Sequence, residues 1–156
     1  MGGNTAPMYE VRISGAEELL ARAESLFAEH WEEIALSKHL MVLKPDADRY
    51  RAMEQAGMLL ALGVWNGDEL IGYSVNFIMR HLHYADLSVA ANDLVFVSKA
   101  HRNTRAGLML IRETERHCKE RGAQLLTWHA KKDTPLASLM PRIGYAVQDI
   151  IFSREL

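Results

Sequence analysis

The chain has 156 residues, of which 49% are hydrophobic and 24% are charged, and its formal net charge is -2. This is the profile of a globular domain that can bury its own core, and the weak negative charge argues against bulk binding to nucleic acid. The single cysteine, Cys118, excludes an intrachain disulfide, and no apolar run reaches the ~20 residues that a membrane span needs.

The first third of the chain predicts one strand and two helices. Residues 1–8 are small or polar, so we expect a flexible N-terminus without secretory features. Alternating residues over Tyr9–Ile13 predict a short strand, and apolar residues at three- and four-residue steps predict one helix over Ala16–Ile34. A shorter helix follows over Asp46–Gln55.

The middle of the chain predicts a β-hairpin and a further strand. Two apolar runs, Met58–Trp65 and Leu70–Ile78, flank an Asn-Gly pair, which is a strong tight-turn signal. Asn92–Val97 follows a polar stretch and reads as another strand. Residues 9–156 show no linker and are expected to form a single domain.

The last third alternates between helices and strands. A long helix ends at Arg121 before Gly122, and Gln124–His129 predicts a strand. Thr134 and Pro135 open a short helix as N-cap and first helical residue. Tyr145–Ser153 is expected to supply the final strand. The order β-α-α-β-β-β-α-β-α-β predicts an α/β (α+β) fold with a mixed central sheet and packed helices.

The junction between strand and long helix reads His-Arg-Asn-Thr-Arg-Ala-Gly and carries the main functional signal. A helix N-terminus leaves unpaired backbone N–H groups at its electropositive end, where phosphates bind readily. Gly107 permits close approach of a ligand to the backbone, and Arg102 and Arg105 can pair with phosphate oxygens. Asn103 and Thr104 offer further donors. The alternative is a solvated turn whose arginines serve solubility.

These residues, in this topology, resemble the GNAT N-acetyltransferase superfamily. Its acetyl-CoA motif is Arg/Gln-x-x-Gly-x-Gly/Ala at the same strand-helix turn, with Arg102 at the first position and Gly107 at the last. Arg105 stands where the motif usually has glycine. The stretch Leu136–Tyr145 also resembles the family's ending, a short helix followed by Gly-Phe/Tyr.

The resemblance implies a sheet of about six to seven strands with helices on both faces, and acetyl-CoA as co-substrate. The diphosphate would rest on the amides of the turn, and the pantetheine arm would run between two splayed strands. The cofactor-binding residues it implies are Val95, Phe96, Val97, Arg102, Asn103, Thr104, Arg105, Ala106, Gly107, Leu108 and Met140.

Acetyl transfer to an amine needs a proton acceptor and a donor for the leaving thiolate. Family members often use a tyrosine in the last helix as the acid, and Met140 occupies that position here. Asp93, His129 and Tyr84 are therefore the candidate catalytic residues. Asp93 is costly to bury among apolar neighbours unless it is paired or used, although it could equally be a solvated charge. His129 could instead be a packed strand-end residue.

The acceptor side is expected near the stretch Arg-His-Leu-His-Tyr and the end of the first long helix. His81 and His83 share one face of an extended chain and could form half of a metal site. No cysteine lies nearby, so we interpret them, with Trp31, as part of an acceptor-binding rim, with no metal. A plain polar loop is the alternative.

The leading hypothesis is a cytoplasmic, acetyl-CoA-dependent N-acetyltransferase that acts on a primary amine by direct attack. The alternative is a non-catalytic CoA- or acyl-CoA-binding regulatory domain of the same fold. An unrelated nucleotide-binding protein is disfavoured because neither a Walker loop nor a Rossmann glycine motif is present. The partners expected are acetyl-CoA and an amine, neither nucleic acid nor membrane, and a second copy of the chain through the apolar segment Ala146–Phe152.

Overall fold

A computed structural model of the protein describes residues 6–156, so the first five residues of the predicted flexible N-terminus, 1–8, lie outside it. The fold is a five-stranded sheet in the order β1-β2-β3-β4-β5, with antiparallel pairs except for the parallel pair β4 and β5. The strands are β1 (Tyr9–Ile13), β2 (Leu59–Asn66), β3 (Glu69–Arg80), β4 (Ser88–Val97) and β5 (Leu125–Trp128). The helices are α1 (Ala16–Arg22), α2 (Glu24–Ile34), α3 (Ala47–Gln55), α4 (Ala106–Glu120) and α5 (Pro135–Arg142).

Helices cover both faces of the sheet, as expected for a mixed sheet with alternating burial. Helices α1, α2 and α3 pack on one face through an apolar cluster that includes Leu19, Phe27 and Tyr73. Helix α4 packs on the other face through a second cluster that includes Leu62 and Leu110. The predicted α/β class with a mixed sheet is confirmed.

Local signals placed several elements correctly. The hairpin between β2 and β3 turns at Gly67, whose φ of +60° favours glycine. Helix α5 begins at Pro135, and the Thr134 hydroxyl accepts a hydrogen bond from the amide of Ala137 at 3.3 Å.

The single helix predicted over Ala16–Ile34 is wrong, because the chain forms two helices that meet at Ala23. This residue has φ −100° and ψ 7°, outside both helices, yet its amide and carbonyl still bond to Leu19 and Phe27. The apolar spacing continues across the break because both helices face the same core. Periodicity therefore could not reveal the change of direction.

The final strand predicted over Tyr145–Ser153 is also wrong, so the sheet has five strands and not six or seven. The chain after α5 forms no helix or strand, and residues 146–156 are all exposed. Strand propensity identifies a segment that can pair but not whether a partner edge is within reach. Nothing in residues 6–156 pairs with this segment.

Candidate active site

The sheet forks between its two parallel strands. β4 and β5 are paired from Val89 with Leu125 to Asn92 with Trp128, and β5 ends there. β4 continues for five more residues, Asp93–Val97, without a neighbour on that side. The predicted CoA-contacting residues Val95, Phe96 and Val97 all lie on this unpaired stretch. No strand bonds to this side of β4, although the Val97 carbonyl accepts a hydrogen bond from Arg102.

Asp93 is the extra residue of a β-bulge at the fork. In the β3–β4 register Asn76 faces Asn92 and Val75 faces Leu94, which leaves Asp93 without a partner on β3. Bulges commonly re-aim a side chain next to an active site. His129 is the first residue after β5, so the two predicted catalytic residues both follow the last paired positions, Asn92 and Trp128.

The surroundings of Asp93 shift the pKa of its carboxyl group. Partial desolvation raises the pKa of Asp93, while the nearby His129 and Arg49 side chains oppose that rise. Asp93 is an exposed residue, so water weakens the effect. Tyr50 of α3 lies close by, and burial together with the Asp93 charge raises its pKa. A carboxylate with a raised pKa is a better proton acceptor near neutral pH.

A buried polar network holds the bulge in place. The Asn92 side-chain amide donates to the Asn76 side-chain oxygen at 2.8 Å and, across the bulge, to the carbonyl of Leu94 at 3.0 Å. Ser74 joins this network and accepts a hydrogen bond from Thr114 of α4 at 3.0 Å. The sequence reading missed these residues. The signal was present, since polar residues inside apolar strands must find partners.

The turn before α4 presents unpaired backbone amides. Within residues 6–156, the amides of Asn103, Thr104, Arg105, Gly107 and Leu108 have no hydrogen-bond partner. Asn103 has a φ of +62°, which reverses the chain tightly here.

Thr104 closes the turn, and Gly107 leaves space beside it. The Thr104 hydroxyl donates to the His101 carbonyl at 2.7 Å and accepts from the Ala106 amide at 3.2 Å. A Cβ placed on Gly107 would meet a single neighbour within 4 Å, the Val97 Cγ2 at 4.0 Å. The turn is thus ordered by its own side chains while its ligand-facing donors stay free.

The two arginines of the motif differ in their surroundings. Arg102 donates to both carboxylate oxygens of Glu33 at 2.9 and 2.7 Å and to the Val97 carbonyl at 3.0 Å. Arg105 is exposed at the start of α4, and its guanidinium lies 6.0 Å from the centre of the Tyr9 ring. Only Arg105 extends into open space. The pairing of Arg102 with Glu33, 69 residues apart in the chain, was not predicted from the sequence.

The other predicted site residues lie apart from the fork. His81, His83 and Tyr84 cluster in the turn between β3 and β4, where the ring centroids of His81 and Tyr84 are 4.6 Å apart. This turn precedes Ser88, five strand residues and about 17 Å from Asp93. The structure therefore does not bring Tyr84 together with Asp93 and His129.

Trp31 and Met140 lie on two different helices, α2 and α5. Trp31 lies near the end of α2, and its indole N–H donates to the carbonyl of Met41. Met140 is the buried residue of α5. Among residues 6–156 there is no group of three His, Cys, Asp or Glu side chains that could hold a metal ion.

A buried aromatic cluster lies beneath the fork. His30 stacks on Phe96 with ring centroids 4.6 Å apart, and its Nδ1 is 2.6 Å from the Tyr73 hydroxyl. Burial lowers the pKa of His30 to about 4; the Glu33 charge opposes this and the Arg102 charge adds to it. His30 is therefore neutral at physiological pH, and this cluster is uncharged support for β4.

Together, a helix N-terminus with free amides, a strand fork and a carboxylate on a bulge are the features of the candidate site in this α/β protein. The profile of the acetyltransferase (GNAT) family matches residues 20–145, so the chain belongs to this family. It is an acyltransferase of the N-acetyltransferase type. A search of curated protein sequences gives no match.

Solved structures with the same fold come from several N-acetyltransferases. An aminoglycoside acetyltransferase from an uncultured soil metagenomic sample is 19% identical, with a TM-score of 0.77 over 96% of this chain and 99% of that one. A ribosomal-protein-alanine N-acetyltransferase from Brucella melitensis biovar Abortus 2308 is 16% identical, with a TM-score of 0.71 over 96% and 99%. A GCN5-related N-acetyltransferase from Ralstonia eutropha JMP134 is 18% identical, with a TM-score of 0.74 over 95% and 99%. These likenesses concern the fold.

No helix among residues 6–156 combines the length and apolar character needed to cross a bilayer.

Proposed function

We propose that the chain transfers an acetyl group from acetyl-CoA to a primary amine by direct attack of that amine. The observation that carries this proposal is the line from the free amides at the start of α4, along the unpaired edge of β4, to Asp93 at the fork. We also propose a cytoplasmic location, because the lone thiol, Cys118, is buried and unpaired.

The residues present fit the proposed co-substrate. Linked phosphates suit the amides from Asn103 to Leu108, and the amide groups of a pantetheine arm suit the open edge of Val95–Val97. Arg105 adds a cation at the same end, and Met140 is proposed to contact the arm. Bound there, acetyl-CoA supplies an acetyl group activated as a thioester.

The chain's own part in the chemistry is to accept a proton from the amine. We assign this to Asp93, with His129 beside it as a further proton carrier. As the new C–N bond forms, the C–S bond breaks, and the departing CoA thiolate takes up a proton from solvent, so the products are the amide and free CoA. Direct attack needs no acyl-enzyme, and Cys118 is a poor nucleophile because burial raises the pKa of its thiol to about 11.

The proposed acceptor is an amine that can enter the fork where β4 extends beyond the end of β5. The fold neighbours include enzymes described as aminoglycoside and ribosomal-protein-alanine acetyltransferases, so both polyamino sugars and protein N-termini belong in a substrate panel. We propose Trp31, His81 and His83 as rim residues around this side. Tyr84 remains a candidate catalytic residue only for an acceptor long enough to reach from the β3–β4 turn to the fork.

The test has two steps. Calorimetry with acetyl-CoA and CoA should detect binding to the folded chain, and a panel of amines should then release free CoA above background hydrolysis. Binding without release from any amine would favour the non-catalytic CoA-binding alternative. Absence of binding would overturn the proposed function.

A larger side chain at position 107 should weaken CoA binding without lowering the stability of the fold. Gly107→Val should raise the Kd for CoA about tenfold or more, since the new methyl groups obstruct phosphate contacts worth ~1.5 kcal/mol each. The unfolding temperature should stay near that of the wild type, because valine and glycine have similar helix propensities and the site has room. Calorimetry and thermal unfolding give the two readouts.

Gly107→Ala is the matched control, since its single methyl group fits beside Val97. It should bind CoA as the wild type does. Equal Kd values for the valine variant and the wild type would mean that phosphates do not approach this backbone.

We further propose that residues 146–152 pair with a second copy of the chain. Val147, Ile150 and Phe152 are 80%, 75% and 90% exposed, which is unusual for an extended apolar segment. β5 is a short edge strand, so its outer edge in another copy can accept a strand.

Deletion of residues 146–156 should therefore convert a dimer into a folded monomer. Light scattering coupled to gel filtration measures the mass, and circular dichroism checks the fold. Deletion of only 153–156 removes no apolar strand residue and should leave the dimer intact. A wild-type chain that is monomeric at high concentration would contradict this proposal.

A further inference from the structure

Helix α2 is tied to the turn before α4 by polar contacts that the motif does not encode. Both oxygens of Glu33 accept hydrogen bonds from the Arg102 guanidinium, at 2.9 and 2.7 Å. One turn earlier, Glu29 accepts the backbone N–H of Lys99 at 2.9 Å. Two carboxylates on one face of α2 thus hold the segment that leads into the free amides.

Arg102 is fully engaged on the protein. Its Nε donates to the Val97 carbonyl at 3.0 Å, and its guanidinium carbon lies 5.1 Å from the centre of the Phe96 ring. The edge that would grip a phosphate in bidentate fashion is already paired with Glu33. Arg102 therefore donates to the last residue of β4, lies over the Phe96 ring of the same strand and pairs with Glu33 on α2.

We propose that Arg102 and Glu33 form a positioning pair that holds the amides of Asn103–Leu108 in place, and that Arg102 is not a phosphate ligand. The pair joins the unpaired end of β4 to α2, the helix that carries Trp31 on the acceptor side. Arg105, which is exposed at the start of α4, is then the motif arginine that remains available to a phosphate. This inference rests on the proposed function for its ligand, CoA.

The two possible roles of Arg102 predict opposite effects of Glu33→Gln on the Kd for CoA. If the pair positions the turn, loss of the Glu33 charge loosens the turn and raises the Kd about fivefold, the size expected for a partly exposed ion pair. If Arg102 bound phosphate, removal of a competing carboxylate would lower the Kd. Calorimetry at a temperature where every variant is folded decides the sign.

A double-mutant cycle tests the partnership. Arg102→Gln should raise the Kd for CoA, and the double variant Glu33→Gln/Arg102→Gln should bind about as well as the weaker single variant, because both changes remove the same pair. Independent, additive effects would overturn the proposal. With an amine from the panel, KM for acetyl-CoA should rise while kcat stays at the wild-type value, since the pair touches no reacting atom.

Glu18→Gln is the matched control. Glu18 also accepts two hydrogen bonds from one arginine, Arg12, at 2.9 and 2.8 Å, but on β1 and α1 away from the turn. It should lose a similar ion pair and keep the wild-type Kd. If the wild type binds no CoA, the proposed function fails. If the wild type binds CoA and Glu33→Gln binds it more tightly, only the positioning role fails.

Discussion

Asp93→Asn should lower kcat for acetyl transfer by about 10²- to 10⁴-fold, the usual contribution of a general base. Asparagine keeps the shape of the bulge residue but cannot accept the amine proton. The Kd for acetyl-CoA should not change, because the proposed phosphate and pantetheine contacts lie further along β4 and on the turn. Release of free CoA with an acceptor from the amine panel measures kcat, and calorimetry measures Kd.

The dependence of kcat/KM on pH is an independent test of Asp93 as the proton acceptor. The base must be deprotonated to act, so kcat/KM of the wild type should fall as the pH falls through the raised pKa of Asp93. Asp68→Asn makes the same chemical change in the exposed β2–β3 turn and should behave as the wild type. An Asp93→Asn enzyme with full kcat would move the proton acceptor elsewhere, with His129→Ala as the next variant to assay.

Acid should destabilise the wild type by about 3 kcal/mol more than His30→Gln between pH 7 and pH 4. Burial lowers the pKa of His30 from 6.5 to about 4 in the folded chain. The unfolded state therefore binds a proton over this range before the native state does, and stability falls as the pH falls. Glutamine can keep a hydrogen bond to Tyr73 but does not titrate. Denaturant unfolding at a series of pH values measures the difference.

The change in the free energy of unfolding with pH is measured within each protein separately. This is necessary because the glutamine variant also loses the stacking on Phe96 at every pH. Only the slope against pH reports the titration. Parallel curves for the two proteins would mean that folding does not change the pKa of His30.

The sequence predicted the parts of the fold that short-range patterns encode. The Asn-Gly hairpin, the proline-started helix and the strand-helix turn at Arg102–Gly107 are all properties of a few neighbouring residues. The break at Ala23 escaped prediction because both helices bury the same apolar face. The last strand was wrong because pairing depends on an edge that lies elsewhere in the chain, or in another chain.

The site divides in the same way. The free amides of the turn follow from helix geometry, so the sequence predicts unpaired donors at this position. Asp93 and His129 were chosen by chemistry, while the bulge that brings them to the fork depends on the β3–β4 register. The partner of Arg102 could not be foreseen, because Glu33 is distant along the chain and α2 reaches the turn only through tertiary packing.

The Thr114–Ser74 hydrogen bond has a consequence for redesign of this protein. It fastens α4 to the strand network that shapes the bulge, so one chain of hydrogen bonds joins the helix behind the proposed cofactor-binding turn to the bulge that carries the proposed proton acceptor. The segments 35–46 and 81–87 stand outside that chain of hydrogen bonds, since neither contributes to the network. Exchanging these two segments should change which amine is acetylated, while the affinity for the acyl donor stays the same.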